Sequence, residues 1–344
     1  MNILLIQLKR IGDLILTTPA ISALRAKFPE AHLVLATARD VAVLVPAIPD
    51  IDQTFALHRN LADVGAFASV ALKKFDYCID FTRNDRSAFL SLLSRAKTRV
   101  VSYRVKRRTP LRGQAYNEFV QHRMRDMHTI DYNLSLLQPL GIRDVSPPVR
   151  LDLPESAQVE ASSLLQHARI ERPFIVFHPG SARVEKFWDP ARWAEVIQHA
   201  ISRHGLQVIL TGGTSHLEQK HLAEIMAHLP PPVDSSTAGS VVDLSGKMNL
   251  RALAAFVARA RLLVTVDSAP VHLAAAAATP QVALFGPTNP FHWRPRDTPA
   301  LILQGDSGQP LREFVPKQPR VPMKLISTAA VINAMDALLS TPAG

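Results

Sequence analysis

The chain has 344 residues, 47% of them hydrophobic and 20% charged, which is the balance of a soluble globular protein of about two domains. This composition excludes a mainly disordered protein, and the single cysteine, Cys78, excludes a disulfide scaffold and cysteine-based zinc sites and points to a reducing compartment. The net charge is +10, and residues 1–150 carry nearly all of it, with 22 Lys and Arg against 13 Asp and Glu. This asymmetry predicts an anionic partner for the first half of the chain.

No stretch of the sequence is long and apolar enough to predict a membrane span. The longest apolar runs, 252–258 and 273–278, are far shorter than the ~20 residues that a helix needs to cross a bilayer. The first apolar segment is followed, not preceded, by Lys9 and Arg10, which is not the pattern of a signal peptide. The expected location is therefore the cytoplasm.

The first half of the chain alternates short apolar runs with segments of helical periodicity. This alternation predicts a parallel sheet that is covered by helices on both faces. The segment 104–125 is basic and broken by Pro110 and Gly113, so it is predicted to be a loop. The predicted strands are 2–8, 32–36, 53–57, 77–81 and 99–102, and the predicted helices are 14–27, 41–45, 61–74, 87–94 and 128–140.

A Pro-rich linker, 146–154, separates this half from a second series of strands and helices. We expect an α/β fold of two doubly wound, Rossmann-like domains that face a central cleft, where such folds bind ligands. The domains are predicted to span residues 1–150 and 151–325, followed by a helix and tail at 326–344. The strands expected in the second half are 174–178, 207–210, 242–244, 262–266 and 281–285, with helices at 190–203, 218–228, 250–260, 270–278 and 325–339.

The first candidate site is the turn between the first strand and the first helix. It contains one glycine, Gly12, so the G-x-G-x-x-G fingerprint of a nicotinamide dehydrogenase is absent. A carboxylate, Asp13, follows, and Lys9 and Arg10 would keep it ionised. Asp13 is interpreted either as a general base that points into the cleft or as a helix N-cap.

The second candidate site follows the first strand of the second half. Gly180 and Ser181 would let backbone N–H groups approach an anion, and Lys186 would neutralise a phosphate. The alternative is that Lys186 is an ordinary surface lysine. Trp188 and Trp193 are expected in the core.

The third candidate site is the transition from a β-branched strand to a helix at residues 264–272. The strand ends at Asp267 and the helix begins near Pro270, so backbone amides at Ser268 and Ala269 would face an anion. A diphosphate there would repel Asp267, which is therefore expected to accept hydrogen bonds from sugar hydroxyls, unless it is only a cap. His272 is either part of this site or a buried structural histidine.

Further positions carry weaker signals. Glu218, shortly after Gly212, could bind a ribose diol or be a solvated helix residue, and Lys247 with Met248 could line an adenine pocket or belong to the core. Asp50 and Asp52 have the spacing of a metal-binding pair, but they precede a strand and are predicted to be a surface turn. The sequence contains no P-loop, no G-x-S-x-G and no H-E-x-x-H.

Several of these segments, in this order, resemble the motifs of glycosyltransferase family 9, the ADP-heptose:lipopolysaccharide heptosyltransferases, and the first looks most like the heptosyltransferase III branch. The resemblance implies a GT-B fold and metal-independent, inverting transfer from ADP-L-glycero-β-D-manno-heptose, with no cofactor. It is carried by residues 9–14 with 17–20, 178–180, 186–188, 211–213, 267–274 and 284–288.

The same resemblance implies roles for individual residues. Asp13 is the expected catalytic base and Asp267 is expected to hold the heptose. Many members have Thr-Gly where this chain has Ser268-Ala269, so backbone approach to the diphosphate is more crowded here. The residues expected at the donor diphosphate are Lys186, Ser181, Ser268, Ala269 and His272, and those expected at the nucleoside are Glu218, Lys247, Met248 and Gly212.

The basic first half would then contact the phosphorylated inner core of lipopolysaccharide at the anionic, cytoplasmic face of the inner membrane. A generally basic, solvated surface is the alternative, and nucleic acid is not expected because no nucleic-acid motif accompanies the charge. Other open interpretations are a different nucleotide sugar or glycan acceptor, and a non-catalytic sugar-nucleotide-binding protein. The candidate acceptor contacts are Lys9, Arg10, Arg83, Arg86, Arg104, Lys106, Arg107, Arg108 and Arg112.

Overall fold

The computed structural model describes residues 1–58, 60, 62–230 and 241–340. The chain divides into two compact units, Met1–Asp152 and Leu153–Gly344. Each unit contains one six-stranded sheet in which every neighbouring pair of strands is parallel. The predicted class, α/β with two doubly wound sheets, is confirmed.

The sheet of the first unit has the strand order β3-β2-β1-β4-β5-β6. The chain leaves β1 on one side, returns, and continues from β4 on the other side, which is the doubly wound topology. The strands are β1 (Asn2–Gln7), β2 (His32–Ala38), β3 (Gln53–Leu57), β4 (Tyr77–Asp80), β5 (Thr98–Ser102) and β6 (Glu118–Val120). The helices are α1 (Ile11–Ile15), α2 (Thr18–Lys27), α3 (Asp63–Leu72), α4 (Asp85–Leu93), α5 (Tyr103–Arg108), α6 (Pro110–Gly113) and α7 (Thr129–Ser135), with 3-10 turns at Arg39–Ala47, Met124–Asp126 and Gln138–Leu140.

The sheet of the second unit has the order β12-β11-β10-β7-β8-β9, so its path repeats that of the first sheet. The strands are β7 (Phe174–His178), β8 (Gln207–Leu210), β9 (Val241–Asp243), β10 (Leu262–Val266), β11 (Gln281–Phe285) and β12 (Ala300–Gln304). The helices are α8 (Glu155–His167), α9 (Pro190–His204), α10 (His216–His228), α11 (Leu250–Val257), α12 (Ala269–Ala276), α13 (Pro290–Trp293) and α14 (Thr328–Ser340), with 3-10 turns at Val184–Lys186 and Met323–Leu325.

The central strands are buried on both faces, which explains their uninterrupted apolar sequences. Residues 3–6 of β1 and 262–266 of β10 have no accessible surface. Trp188 and Trp193 lie in the core of the second unit, as predicted, with their rings edge to face at 5.1 Å. Asp189 caps α9 by accepting hydrogen bonds from the backbone amides of the next turn.

The prediction of one helix over 14–27 is wrong in detail. The structure has α1 from Ile11 and a separate helix, α2, that begins at Thr18. Pro19 lies in the first turn of α2, where its missing N–H costs no helical hydrogen bond.

The prediction of a loop over 104–125 is also wrong. This segment contains α5, α6 and the edge strand β6. Val105, Ala115 and Tyr116 bury against Val101 and Ala88, so tertiary packing stabilises elements that are too short to show a period in the sequence.

Some elements were not predicted, among them α8, β12 and the short helix α13. In α8 the buried residues are Ala157 and Ala161, a narrow apolar face that gave no helical pattern. The edge strand β12 has a short apolar run and pairs with β11. The predicted helix 128–140 is α7 followed by a 3-10 turn. Residue 61, where the prediction began a helix, and residues 341–344 of the predicted tail lie outside the described residues.

Among the residues that the structure describes, no helix has both the length and the apolar character that are required to cross a membrane.

Candidate active site

In each sheet, the strand order reverses between two adjacent strands. The carboxyl ends of these two strands border one crevice. In the first unit these strands are β1 and β4, and in the second they are β7 and β10. Ligands of doubly wound sheets bind at such switch points. The strongest sequence candidates follow these four strands: Lys9 and Asp13 after β1, Arg83 after β4, Lys186 after β7, and Asp267 after β10.

Lys186 and Asp267 form an ion pair at the switch point of the second unit. The Lys186 ammonium donates to Oδ2 of Asp267 at 2.6 Å and to its backbone carbonyl oxygen at 2.8 Å. Their side chains are only 12% and 8% exposed. The interpretation of Lys186 as an ordinary surface lysine is therefore wrong, because the side chain is nearly buried and held at two points.

The helix after β10 begins with Ser268 as its N-cap, so the alternative of Asp267 as the cap is wrong. The first amides of a helix have no partner within the helix and point outward. Pro270 lacks an N–H, which leaves Ser268 and Ala269 to present these donors beside Asp267. His272 is buried on the same helix. The backbone geometry is that of an anion site, with a carboxylate at its edge.

Glu218 lies in the first turn of α10, against the glycines that follow β7 and β8. A methyl group on Gly180 would come within 2.5 Å of its Oε1, and one on Gly213 would collide with Oε2. Ser215 donates to the carboxylate at 3.0 Å and accepts from the Glu218 amide, which fixes this turn. The structure thus brings the Glu218 carboxylate to the carboxyl ends of β7 and β8, beside Gly180 and Gly213.

Gly212 and Lys247 lie on neighbouring loops, joined by a hydrogen bond from the Gly246 amide to the Gly212 carbonyl oxygen at 2.8 Å. Gly212 packs against Leu222 so closely that a side chain would clash. The Lys247 side chain is exposed and lines an open groove of about 600 Å³ along α8. Met248 is half-buried and Ser181 is buried.

His178, the last residue of β7, is buried and joins this strand to β8. Its Nδ1 lies 2.9 Å from the hydroxyl of Thr211, and Thr265 donates to its carbonyl oxygen. Burial lowers the pKa of His178 to about 4. The imidazole is therefore neutral at pH 7 and contacts Thr211 at the end of β8, while the backbone carbonyl oxygen of His178 accepts from Thr265 of β10.

In the first unit, Asp13 lies in the first turn of α1, one turn after Lys9. The Lys9 ammonium is 3.6 Å from Oδ1 of Asp13, and the Asp13 side chain is 14% exposed. The N-cap of α1 is Arg10, so the alternative of Asp13 as a cap is wrong. Burial lowers the pKa of Lys9, and the nearby Arg83 acts in the same direction.

The backbone at Asp13 is held by buried polar side chains that sequence reasoning missed. Thr17 donates to the Asp13 carbonyl oxygen at 2.8 Å, and Gln7 donates to Thr17 at 2.9 Å. Asn133 of α7 donates to the Leu16 carbonyl oxygen at 2.9 Å. These contacts orient α1. The sequence feature that could have indicated these contacts is Gln7, a polar residue at the end of the apolar strand β1.

Asp80 at the end of β4 is fully buried and accepts hydrogen bonds from the amides of Thr82 and Arg83, at 2.7 and 3.0 Å. The hydroxyls of Ser87 and Tyr116 donate to its other oxygen. Burial, reinforced by the Asp80 carboxylate, raises the pKa of Tyr116. The network holds Arg83 in a left-handed conformation with φ +68°, which directs the chain into the crevice. Asp80 was not among the site residues predicted from the sequence.

Arg83 projects from this turn over the ring of Tyr132, with its guanidinium carbon 4.8 Å from the ring centre. Two of the predicted acceptor contacts have partners within the unit. Arg86 forms an ion pair with the buried carboxylate of Asp63, and Arg112 is paired with Asp85 at 2.7 Å. Their role toward an acceptor stays a prediction.

Three of the basic candidates, Arg104, Arg107 and Arg108, line a small cavity of about 110 Å³, which we call the arginine pocket. Burial and the charges of neighbouring arginines lower the pKa of Arg104, so positive groups there repel one another. Such a cluster favours binding of an anion. The pocket is lined by Tyr103, Arg104, Arg107 and Arg108 of α5 and by Gln121, His122, Arg123, Met124 and Arg125.

The predicted Asp50–Asp52 turn is confirmed. Asp50 has φ +69°, and the Asp52 carboxylate accepts hydrogen bonds from Arg25 and from the Leu33 amide, both at 2.7 Å. These contacts lower the pKa of Asp52 despite the opposing effect of burial. The turn anchors β2 to α2.

Comparison with known proteins gives one consistent result. An Escherichia coli protein named lipopolysaccharide heptosyltransferase 3 is 27% identical over 340 residues, which cover 95% of this chain and 96% of that protein. Two solved structures share the fold over 98% of this chain: a family 9 glycosyl transferase from Veillonella parvula (97% of its chain, 24% identity, TM-score 0.82) and E. coli ADP-heptose lps heptosyltransferase II (98%, 23%, 0.79). The predicted GT-B class is thereby confirmed.

The family model described as glycosyltransferase family 9 (heptosyltransferase) matches residues 67–319, which include Arg83, Lys186 and Asp267. This match spans well over half of the chain and contains three of the four strand ends that form the two switch points. The chain belongs to glycosyltransferase family 9, the heptosyltransferase family.

Proposed function

We propose that this protein transfers heptose from ADP-L-glycero-β-D-manno-heptose to the inner core of lipopolysaccharide, with inversion at the anomeric carbon. The observation that carries the proposal is the family 9 match over residues 67–319, which contains the Lys186–Asp267 pair. The E. coli relative named lipopolysaccharide heptosyltransferase 3 supports the same acceptor class. Residues 1–150 would serve the acceptor and residues 151–325 the donor, with 326–344 as a closing helix and tail.

The donor would exchange partners with the ion pair. In the structure the ammonium of Lys186 is neutralised by Asp267. A bound diphosphate would attract Lys186 and repel Asp267, so the lysine would turn to the phosphate oxygens. The Asp267 carboxylate, released from its partner, would then accept hydrogen bonds from heptose hydroxyls. One pair of residues would thus recognise both the charged and the neutral part of the donor.

The other donor contacts follow from the surrounding loops. The amides of Ser268 and Ala269 would bind diphosphate oxygens. Ser181 and His272 would line the rest of the diphosphate site. The nucleoside would lie toward Glu218 and the loops of Gly212, Lys247 and Met248. Glu218 has the acceptor oxygens that a ribose diol requires.

Asp13 would act as the general base. Inversion requires one in-line displacement, in which the acceptor hydroxyl loses its proton as it attacks the anomeric carbon. The bond to ADP breaks at the same time, and the charge that develops on its diphosphate would be stabilised by Lys186 and the α12 amides. The protein thus has residues for both tasks, and we propose that no metal or cofactor takes part.

The arginine pocket would bind a phosphate or carboxylate of the inner core. Arg104, Arg107 and Arg108 supply the charge, and Arg83 contacts Met124 of the pocket lining. Lys9 and Arg10 follow β1 of the same unit and would add to the positive charge at the ends of its strands. The anionic surface of the inner membrane would attract the same basic face, so we propose a cytoplasmic enzyme that binds this membrane peripherally. No nucleic acid partner is proposed.

The proposal is tested by ADP release from the full-length protein with ADP-heptose, with and without a heptose-bearing inner-core acceptor. A panel of UDP- and GDP-sugars serves as the control. We expect release that requires both ADP-heptose and acceptor and that continues in EDTA, and the product anomer, read by NMR, should be inverted. Release from another donor would refute the donor assignment, and nucleotide binding without turnover would favour a non-catalytic binding protein.

A further inference from the structure

Helices α9 and α14 of the second unit pack against each other, and both begin at the same end of the sheet's strands. Near their beginnings, Arg192 donates to the carbonyl oxygens of Lys324 and Ile326, at 2.7 and 2.6 Å. Further along, two histidines of α9 meet one aspartate of α14. His204 is the last residue of α9, before the left-handed Gly205.

The potential ligand atoms of His199, His204 and Asp336 lie close to one another. Nε2 of His199 lies 3.0 Å from Oδ1 and 3.1 Å from Oδ2 of Asp336, and Nε2 of His204 lies 2.7 Å from the same Oδ1. One ligand atom from each residue lies within 4.8 Å of the other two. All three side chains are half-buried, so the cluster is ordered by the helix packing and still reachable from solvent.

We propose that His199, His204 and Asp336 form a binding site for a divalent transition-metal ion, with Zn²⁺ as the best fit. Two imidazole nitrogens and one carboxylate oxygen are a ligand set that zinc accepts, whereas Mg²⁺ and Ca²⁺ require oxygen ligands. Ligands about 2.0–2.2 Å from a tetrahedral zinc ion lie roughly 3.4 Å from one another. The observed nitrogen–oxygen distances, 2.7 to 3.1 Å, therefore need to open by about 0.3 to 0.7 Å, and solvent would fill the fourth position.

The ion would replace the protons that now join the imidazoles to Asp336. Each ligating nitrogen must be unprotonated to bind the metal, so affinity rises with pH across the range in which histidine titrates. The bound ion would join α9 to α14 more firmly than the hydrogen bonds do.

The site is separate from the Lys186–Asp267 pair. Helix α9 begins at Pro190, at the carboxyl end of β7, and its 15 residues rise about 1.5 Å each. His204 therefore lies roughly 20 Å away, where the chain turns back into β8. The metal would stabilise this unit and take no part in transfer, so the inference does not depend on the proposed function.

The test uses untagged, full-length protein that has been stripped with a chelator and titrated with ZnCl₂ by calorimetry. We expect one Zn²⁺ per chain, at least tenfold weaker binding in His199→Gln and in His204→Gln, and no saturable binding in the double variant. Zn²⁺ should raise the thermal midpoint of the unchanged protein and leave that of the double variant unaltered. His228→Gln, at an exposed histidine that ends α10, is the matched control and should bind as the unchanged protein does.

The absence of saturable binding, or binding that the double variant retains, would overturn the proposal. Either result would leave the cluster as a hydrogen-bonded contact between two helices. If a histidine variant does not fold, Asp336→Asn replaces it, since it keeps the side-chain shape and one acceptor oxygen, and it should also weaken Zn²⁺ binding tenfold or more. Equal binding of MgCl₂ would contradict the role of the imidazole nitrogens.

Discussion

The ammonium of Lys186 contacts Asp267 twice, at 2.6 Å from the carboxylate and at 2.8 Å from the backbone carbonyl oxygen. The two residues are 81 positions apart and meet because β7 and β10 are adjacent parallel strands. The second contact matters for ligand exchange, because it keeps the lysine at the site even when its bond to the carboxylate is released.

Asp267→Asn should separate the binding of ADP from the transfer of sugar. The variant removes a negative charge that repels the diphosphate and competes for Lys186, so we expect ADP to bind about tenfold more tightly, which corresponds to about 1.4 kcal/mol. Transfer should fall about 100-fold or more, because an amide is a weaker partner for the heptose hydroxyls. Calorimetric ADP titration and initial rates measure the two effects.

Lys186→Met is the reciprocal variant and should weaken ADP binding about tenfold or more, because the charge partner of the diphosphate is lost. Lys220→Met, at an exposed lysine of α10, is its control and should change neither quantity. Equal loss of ADP affinity in Asp267→Asn and Lys186→Met would contradict the exchange of partners.

Asp13→Asn should abolish most of the transfer while it leaves the donor site intact. Loss of a general base typically costs about 10²–10⁴-fold in rate, and we expect a fall of that size in kcat. ADP affinity should remain within about twofold, since the α12 amides and Lys186 are unaltered. Asp40→Asn, at an exposed aspartate of the same unit, is the control. Loss of ADP affinity in proportion to activity would argue against the base.

His178 should make the stability of the protein depend on pH. Its folded-state pKa, about 4, lies below the ordinary value of 6.5, so between these values the unfolded chain binds a proton that the folded chain does not. The contribution is fully present above pH 6.5 and is lost as the pH falls toward 4, by roughly 3 kcal/mol in total.

His178→Asn keeps a polar atom near Thr211 and removes the titrating group. Thermal unfolding by calorimetry at pH 7.5, 6.0 and 5.0 should therefore show a smaller decrease in stability for the variant than for the unchanged protein. His167→Asn, at an exposed histidine of α8, should show the full decrease. Identical pH dependence in all three proteins would contradict the role of His178.

Substitutions in the arginine pocket should weaken the binding of the acceptor and leave the binding of the donor unchanged. The double variant Arg104→Gln, Arg107→Gln removes two charges from the cavity, so we expect the KM for a phosphorylated acceptor to rise about tenfold, with kcat within about twofold. The KM for ADP-heptose should not change. The effect should diminish in high salt, because screening weakens the lost attraction. Arg143→Gln, at an exposed arginine of the same unit, is the control, and an equal rise in its KM would indicate only general surface charge.

The sequence was sufficient for the fold class and for three charged residues that follow the central strands, but not for Asp80 at the end of β4. The strands at 174–178, 207–210, 262–266 and 281–285 were predicted with their observed bounds, because a buried strand is a nearly continuous apolar run between turn residues. Asp13, Lys186 and Asp267 stood out because they are charged residues in or near the turns that follow such runs.

Tertiary structure decided which side chains meet and which short elements form. The Lys186–Asp267 pair, the hydrogen bond from Tyr116 to Asp80, and the pairing of Arg86 with Asp63 join residues on different elements, so no local pattern predicts them. Helix α5 and strand β6 form because Val105 and Tyr116 find a buried partner surface. Local sequence sets the period and the ends of the long elements, whereas contacts between distant residues depend on the packing of the whole unit.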